Sequence, residues 1–452
     1  MGDLLGAAMR YAQDDFARFH TPGHKGGELP YPGFGQIAAI DLTEIAGMDS
    51  LYAAEGVIRQ TEIAYARLYG SADCLLSAGG ATLCVQAMLA LAAMPGEKLL
   101  IGRGAHVSAV NAMALLDLHP EWIWPDSDPV TGLPVAITPQ QVEQGLQTHP
   151  DTKAVYLTSP TYFGVIADIG AIARVCKARG VPLLVDGAHG AHLAFFSPNR
   201  HPIALGADIC CDSLHKTLPV LTGGAALHIG NERYTSDARQ KLSLFGSTSP
   251  SYLILGSMDG ALDYLASDVA PRQMRIAADR LAQIAQKANR RGYLVARQDD
   301  PLRLVLSAAP LGYTGSELGD HLREHKVEPE YAGGAYLILM ASPFNMPEDF
   351  SRLESALESL PARQTISLPA ADMNLPQRVM PLREAVFARS ESVPVENAQG
   401  RIASALVAPC PPGIALACAG ELIDAPLARA LKNYGISQIS VVKCPQRGAD
   451  IL

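Results

Sequence analysis

Between about residues 97 and 230 the chain alternates short apolar runs with stretches of helical character, and this alternation constrains the fold more than any other feature. The runs at 98–101, 122–124, 154–158 and 182–185 read as strands, and residues 106–116 read as a helix. Thr138-Pro139-Gln140-Gln141 opens another helix, with a threonine cap, a proline in the first turn and a glutamine able to reach back. Asp168 caps a third, which runs toward Arg179. Strands separated by helices specify an α/β fold with a mostly parallel sheet covered on both faces. In such sheets ligands bind beyond the carboxyl ends of the strands, so the residues after each strand hold the chemistry.

Beyond this region, residues 251–266 and 271–289 read as helices, the second strongly amphipathic. A lighter α+β stretch follows: strand 302–307, helix 316–325, strand 336–341, helix 347–360. After about residue 362 proline becomes more frequent and a further unit begins. The division expected is an N-terminal segment and large domain over 1–268, a small α+β domain over 269–361, and a C-terminal domain over 362–452. A length of 452 residues agrees with about three units at roughly 150 residues each.

Composition narrows the partners. The 36 Lys plus Arg against 45 Asp plus Glu leave a net charge of −9, with no basic surplus for nucleic acid. Hydrophobic residues at 48% and charged residues at 18% exclude a disordered chain. Eight cysteines occur without a C-x-x-C pair, which reads as buried reduced thiols rather than a metal site or a disulfide framework. The opening MGDLLGAAMRYAQDDF lacks the layout of a signal peptide, so the expected location is cytoplasmic. Residues 74–96 carry no charge and have the length of a membrane span. However, Ser77, Gly79, Gly80, Thr82 and Gln86, closed by Pro95-Gly96, fit a strand, a glycine turn and a buried helix, and no membrane partner is expected.

Three segments carry the chemistry. Residues 183–190, LLVDGAHG, form an apolar strand ending in Asp186 with His189 just beyond. Residues 207–218, ADICCDSLHKTL, form another ending in Ser213, His215 and Lys216, and residues 75–83, LLSAGGATL, form a glycine turn entering a helix. An acid, a lysine and a helix start at one sheet edge suit pyridoxal phosphate. Its aldehyde needs a lysine, its pyridine nitrogen needs a carboxylate to stay protonated, and its phosphate suits the free N–H groups of a helix start. Singly, Asp186 reads as a helix cap, Lys216 as a solvated lysine and Gly79-Gly80 as an ordinary turn; the combination carries the assignment. A second His-Lys pair, His24-Lys25 within TPGHKGG, follows no apolar strand, which favours Lys216.

The motifs TPGHKGG (21–27), SPTYFGV (159–165), VDGAHGAH (185–192), SLHKTL (213–218), STSPSY (247–252) and PCPPGI (409–414) occur in the order of the ornithine/lysine/arginine decarboxylase family. The chain resembles its short bacterial form, without an N-terminal wing domain. The resemblance implies the aspartate-aminotransferase type of pyridoxal-phosphate fold with a small C-terminal domain. It also implies decarboxylation of lysine, arginine or ornithine. By position, Lys216 would hold the aldehyde, Asp186 would pair with the pyridine nitrogen and His106 would stack on the ring. Ala81 and Thr82, with Ser213 and His215, would hold the phosphate. Ala188 would pack under the ring, Thr161 and His189 would lie near cofactor or substrate, and His215 or Lys216 would return the proton. Ser247 and Thr248 would reach the phosphate of a neighbouring subunit, giving a homodimer with shared sites.

Four positions depart from the family pattern: Gly187 for an acidic or polar residue, Val107 for a lysine, Ala81 for a hydroxyl residue and Cys410 for a tyrosine. They leave the choice of amino acid open. The alternatives are transamination or elimination on the same fold, the first needing an arginine such as Arg303 or Arg323 for the substrate carboxylate, and a non-catalytic regulatory relative.

Overall fold

A computed structural model of the chain describes residues 3–14, 16–27, 29–367, 375–409 and 413–443. Seven strands, β1 (Asp73–Ser77), β2 (Lys98–Gly102), β3 (His119–Ile123), β4 (Thr152–Thr158), β5 (Leu183–Asp186), β6 (Ile209–Asp212) and β7 (Ala225–Ile229), form one sheet in the order β1-β7-β6-β5-β4-β2-β3. The pairings among β2, β3, β4, β5 and β6 are parallel, and β7 runs antiparallel to both its neighbours. The carboxyl ends of β1, β2, β4, β5 and β6 therefore share one edge.

Both faces of this sheet are covered, and side-chain alternation shows how. Leu99, Ile101, Ala154 and Tyr156 pack against the helices Gly80–Ala92 and Val107–Leu116. Leu100, Val155 and Leu157, one residue out of phase, pack against Pro139–Thr148 and Ile169–Ala178. A strand buried on both sides needs apolar residues at every position, which is why these runs read as continuous rather than alternating. The caps form as their residues dictate. Thr138 and Gln141 make a reciprocal capping box, and Asp168 accepts from the Ala171 N–H at 2.9 Å. Residues 74–96 fold as β1, the glycine turn and the buried helix Gly80–Ala92, and among the described residues no helix is long and apolar enough to cross a membrane.

One strand begins earlier than its sequence suggests. β3 starts at His119, and its Pro120 and Glu121 are tolerated because β3 is an edge strand, where a missing donor breaks no ladder on the open side. A second, antiparallel sheet comprises β8 (Leu294–Val295), β9 (Arg303–Ser307), β10 (Tyr331–Gly333) and β11 (Tyr336–Met340), in the order β10-β11-β9-β8. The helices Val269–Arg291, Gly315–Glu324 and Pro347–Ser359 share its apolar core. A third pair, β12 (Ser390–Pro394) with β13 (Gln438–Val442), lies in the C-terminal region. The six described cysteines, at 74, 84, 176, 210, 211 and 418, are buried and free; Cys410 and Cys444 lie outside the described residues.

The C-terminal region is fastened to the large sheet by a fully buried ion pair. Arg103, just beyond β2, meets both carboxylate oxygens of Glu421 at 2.7 Å and donates through Nε to the Ala415 carbonyl at 2.7 Å. Its guanidinium also lies 4.8 Å from the Trp122 ring centre and 5.7 Å from that of Trp124. Removing one partner of such a pair strands the other charge out of water, at a cost of about 3–5 kcal/mol, whereas replacing both with apolar residues leaves no stranded charge. Arg103→Met is therefore expected to lower unfolding stability by roughly that amount. Arg103→Met/Glu421→Met should recover part of the loss, read by denaturant unfolding; a double variant no more stable than the single would contradict the pairing.

Candidate active site

A cavity of about 680 Å³ opens at the shared strand edge. Ten of the residues singled out from sequence line it: Ala81, Thr82, His106, Thr161, Asp186, Ala188, His189, Ser213, His215 and Lys216. Ser247 and Thr248 do not; they sit on an exposed turn before the helix Tyr252–Leu265. Lys25 does not line the cavity either, and its amine donates to the His20 carbonyl. The departures Val107 and Ala81 line the wall, while Cys410 lies outside the described residues.

Asp186 ends β5 and is 2% exposed. Its Oδ2 accepts from the Tyr156 hydroxyl at 3.0 Å and its Oδ1 from the Ala188 N–H at 3.1 Å. The Cys211 thiol also reaches Oδ1, at 3.8 Å. These donors hold the carboxylate in place at the floor of the cavity. At the same cavity the helix Gly80–Ala92 starts without a side-chain cap and without an acid in its first turn. The Gly80 N–H is taken by the Gly223 carbonyl, while Ala81 and Thr82, in the same first turn, line the cavity. Gly80 itself has φ +71°, a left-handed turn that a side chain would strain.

Lys216 opens onto this space from the short helix Leu214–Thr217 that follows β6. Its Nζ lies 2.9 Å from His189 Nε2. Burial pulls the amine below an ordinary lysine value; Asp186 and Glu330 oppose that shift and Arg303 adds to it. Burial likewise pushes His189 well below the usual histidine value, reinforced by the charges of Arg303 and Lys216. His106 is lowered by burial, with Asp186 opposing and Lys216 adding. His106 Nδ1 accepts from the Ser108 N–H at 3.2 Å, so it caps its own helix and keeps its proton on Nε2. His215 is oriented the other way, its Nδ1 held against the Gly224 carbonyl at 3.0 Å, which leaves Nε2 free of that contact.

Two charged residues of the site are not announced by any strand-end motif. Arg303, on β9 of the second sheet, is 2% exposed and stands behind His189, donating to its Nδ1 at 3.1 Å and to the Tyr162 carbonyl at 2.6 Å. It does not line the cavity, and among the described residues no arginine does. Arg323, the other arginine considered, pairs with Asp320 and Glu328 on the surface. Glu330 lies beside the cavity residue Tyr331, exposed, with its carboxylate accepting from the Tyr162 hydroxyl at 3.2 Å.

The glycine at 187 has a physical cause in the next strand. A Cβ there would fall 2.7 Å from Asp212 Oδ1 and 2.9 Å from Cys210 Sγ. Asp212 occupies that space because it is fully buried and paired with His201 at 2.9 Å and His228 at 3.2 Å. Burial raises its carboxyl, yet the two histidines outweigh burial and hold it below the usual carboxylate range.

Comparison with known proteins decides the family. Residues 3–300 match the Orn/Lys/Arg decarboxylase major domain and residues 363–437 match the C-terminal domain of the same enzymes. The chain belongs to the Orn/Lys/Arg decarboxylase family. Within this family it is 32% identical to the arginine decarboxylase of Bacillus subtilis over 440 residues, covering 92% of this chain and 89% of that one. It is 30% identical to the arginine decarboxylase of Halalkalibacterium halodurans, covering 93% and 90%. Among solved structures, the Francisella novicida lysine decarboxylase superposes with a TM-score of 0.85 at 17% identity, over 98% of this chain and 81% of that one. What this likeness shows is the fold, and it extends over both the large sheet and the C-terminal region.

The packing behind Gly187 yields a test. Gly187→Ala forces a methyl against Asp212 and Cys210, and overpacking of this kind costs about 1–3 kcal/mol. Thermal unfolding of Gly187→Ala should show that loss, and Gly187→Ala/Cys210→Ala should regain part of it. Unchanged stability in the single variant would contradict the crowding.

Proposed function

We propose that this protein is a pyridoxal-phosphate-dependent decarboxylase of a basic amino acid, arginine, lysine or ornithine. The observation that carries this reading is the convergence of Lys216, Asp186 and the uncapped start of Gly80–Ala92 on one cavity. Each answers one chemical demand of the cofactor: an amine for the aldehyde, a carboxylate for the ring nitrogen and N–H groups for the phosphate. Names borne by relatives, arginine decarboxylase at 30–32% identity, support the substrate class.

Bound there, pyridoxal phosphate supplies an aldehyde that joins the substrate amine and a protonated ring that takes up the electrons left when carbon dioxide departs. Asp186 would keep the proton on the ring nitrogen, because an adjacent carboxylate favours the charged form. Ala81 and Thr82, with Ser213 and His215, would hold the phosphate. His106 would stack on one face of the ring and Ala188 would pack against the other, with Thr161 and His189 toward the substrate. His215 and Lys216 are the groups available to return a proton to carbon.

Selection of a basic side chain falls to Glu330. Its carboxylate is exposed, adjoins the cavity residue Tyr331 in sequence, acts on Lys216 through its charge and accepts from the Tyr162 hydroxyl. An ammonium or guanidinium entering past Tyr331 would meet it. The test is a panel of amino acids scored for carbon dioxide and amine with native protein, Lys216→Ala and Glu330→Gln. A basic amino acid should be preferred, Lys216→Ala should abolish turnover, and Glu330→Gln should raise KM for that substrate about tenfold or more, the loss expected for one charge-assisted contact. Preference for an acidic or aromatic amino acid, or a keto acid as product, would refute the reading.

We further propose a homodimer in which Ser247 and Thr248 complete the phosphate site of the partner. Both are exposed and stand off their own cavity, on the turn leading into the helix Tyr252–Leu265. Mixing Lys216→Ala with Ser247→Leu/Thr248→Leu puts both lesions in one site of each hybrid and none in the other. Activity should return on subunit exchange between two inactive parents. Hybrids that stay inactive after proven exchange would rule this out.

A further inference from the structure

The chain of contacts Arg303–His189–Lys216 reaches from the second sheet to the amine at the cavity and has a direction. A guanidinium is an obligate donor. Arg303 lies 3.1 Å from His189 Nδ1, so that nitrogen must be the acceptor and cannot carry a proton. The proton of the neutral ring is then on Nε2, which faces Lys216 Nζ at 2.9 Å. With Nε2 donating, the lysine nitrogen must accept, and only an amine with a free lone pair can do so. The opposite polarity, an ammonium donating to Nε2, would require both ring nitrogens to be bare, an imidazolate.

We infer that Arg303 is a positioning residue that fixes the tautomer of His189 and thereby holds Lys216 as its free base. Arg303 is itself locked for this task. It donates to the Tyr162 carbonyl at 2.6 Å, its Nε lies 3.8 Å from Asp300, and Asp300 is held by His192 at 2.8 Å and by the Leu302 N–H at 3.0 Å. Its stem fills the space above Gly164, where a Cβ would fall 3.1 Å from it. The other groups acting on Lys216 are divided: Asp186, Glu330 and Cys211 favour its charged form, and burial with Arg303 disfavours it. His106 faces the same amine from its helix start. The hydrogen bond from His189 decides which form fits the geometry. The free base is the form of a lysine that attacks a carbonyl, so the functional meaning of this device, though not its existence, rests on Lys216 holding the cofactor aldehyde.

The experiment uses the full-length chain, freed of any bound aldehyde with hydroxylamine and dialysed, so that neither cofactor nor substrate enters the measurement. With histidine labelled in both ring nitrogens, the His189 signals are assigned by their loss in His189→Gln. Native protein should show a protonated Nε2 and a bare Nδ1, and Arg303→Met should lose or invert that pattern. In parallel, acetic anhydride labelling of Lys216, followed by peptide mass spectrometry across pH, reports its free-base fraction. Arg303→Met should move the midpoint up by about one pH unit, about a tenfold loss of free base at neutral pH. A native ring with its proton on Nδ1 overturns the inference whether or not Arg303→Met folds. An unchanged tautomer and midpoint in Arg303→Met overturn it too. Failure of the decarboxylase reading would leave both signals untouched.

Discussion

The shape of the cavity depends on the charge pair between Arg103 and Glu421. Both groups are almost entirely removed from water, and the cost of that is offset only if every lone pair and proton is met. Here it is. The guanidinium forks onto the carboxylate, its Nε binds the Ala415 carbonyl, and Glu421 also takes the Cys418 N–H at 2.7 Å. These contacts fix the path of residues 413–421 against the end of β2, and Gly413 and Ile414 from that path form part of the cavity wall. The site is therefore assembled from three parts of the chain: strand ends of the large sheet, Tyr331 and the support of Arg303 from the second sheet, and the C-terminal wall.

Inside the wall the electrostatics are divided by function. An acid with three donors lies buried at the end of β5, and a helix start without a side-chain cap opens on the same cavity. Two histidines of the same cavity, both lowered by burial, commit their Nδ1 atoms differently. His106 spends its Nδ1 on its own helix, while His189 spends the same atom on a guanidinium from another sheet. Both leave a protonated Nε2, one at a helix start and one at the lysine.

Much of this was legible in the sequence because the information is local. An apolar run that stops at Asp186 or at Ser213 names both a strand and the edge where its ligand lies, and Thr138 with Gln141 names a helix start within four residues. The contributions of Arg303, Glu330, Arg103 and Glu421 were not legible as such. Each acts on a residue more than a hundred positions away, and each sits in a segment whose own pattern announces only a strand, a turn or a loop. Arg303 in particular could be weighed only as a substrate anchor, because nothing in its neighbourhood reveals that His189 lies in front of it. Gly187 shows the same limit from the other side: as a letter it is a missing acid, and only the adjacent strand shows that Asp212 already fills the volume. β3 escaped a correct start because an edge strand is exempt from the rule that excludes proline from a sheet.

The origin of Arg303 on β9 has a mechanical consequence. The lysine belongs to the large sheet and the guanidinium that orders its neighbour belongs to the second sheet, so the two are joined by a hydrogen bond rather than by a shared strand. A hydrogen bond is lost within a displacement of about 1 Å. A shift of the second sheet by that distance, too small to alter the outline of the molecule, would separate Arg303 from Nδ1, free the ring to exchange its proton between nitrogens and let the amine take up charge. In that arrangement the protonation of one side chain would follow the relative position of the two sheets.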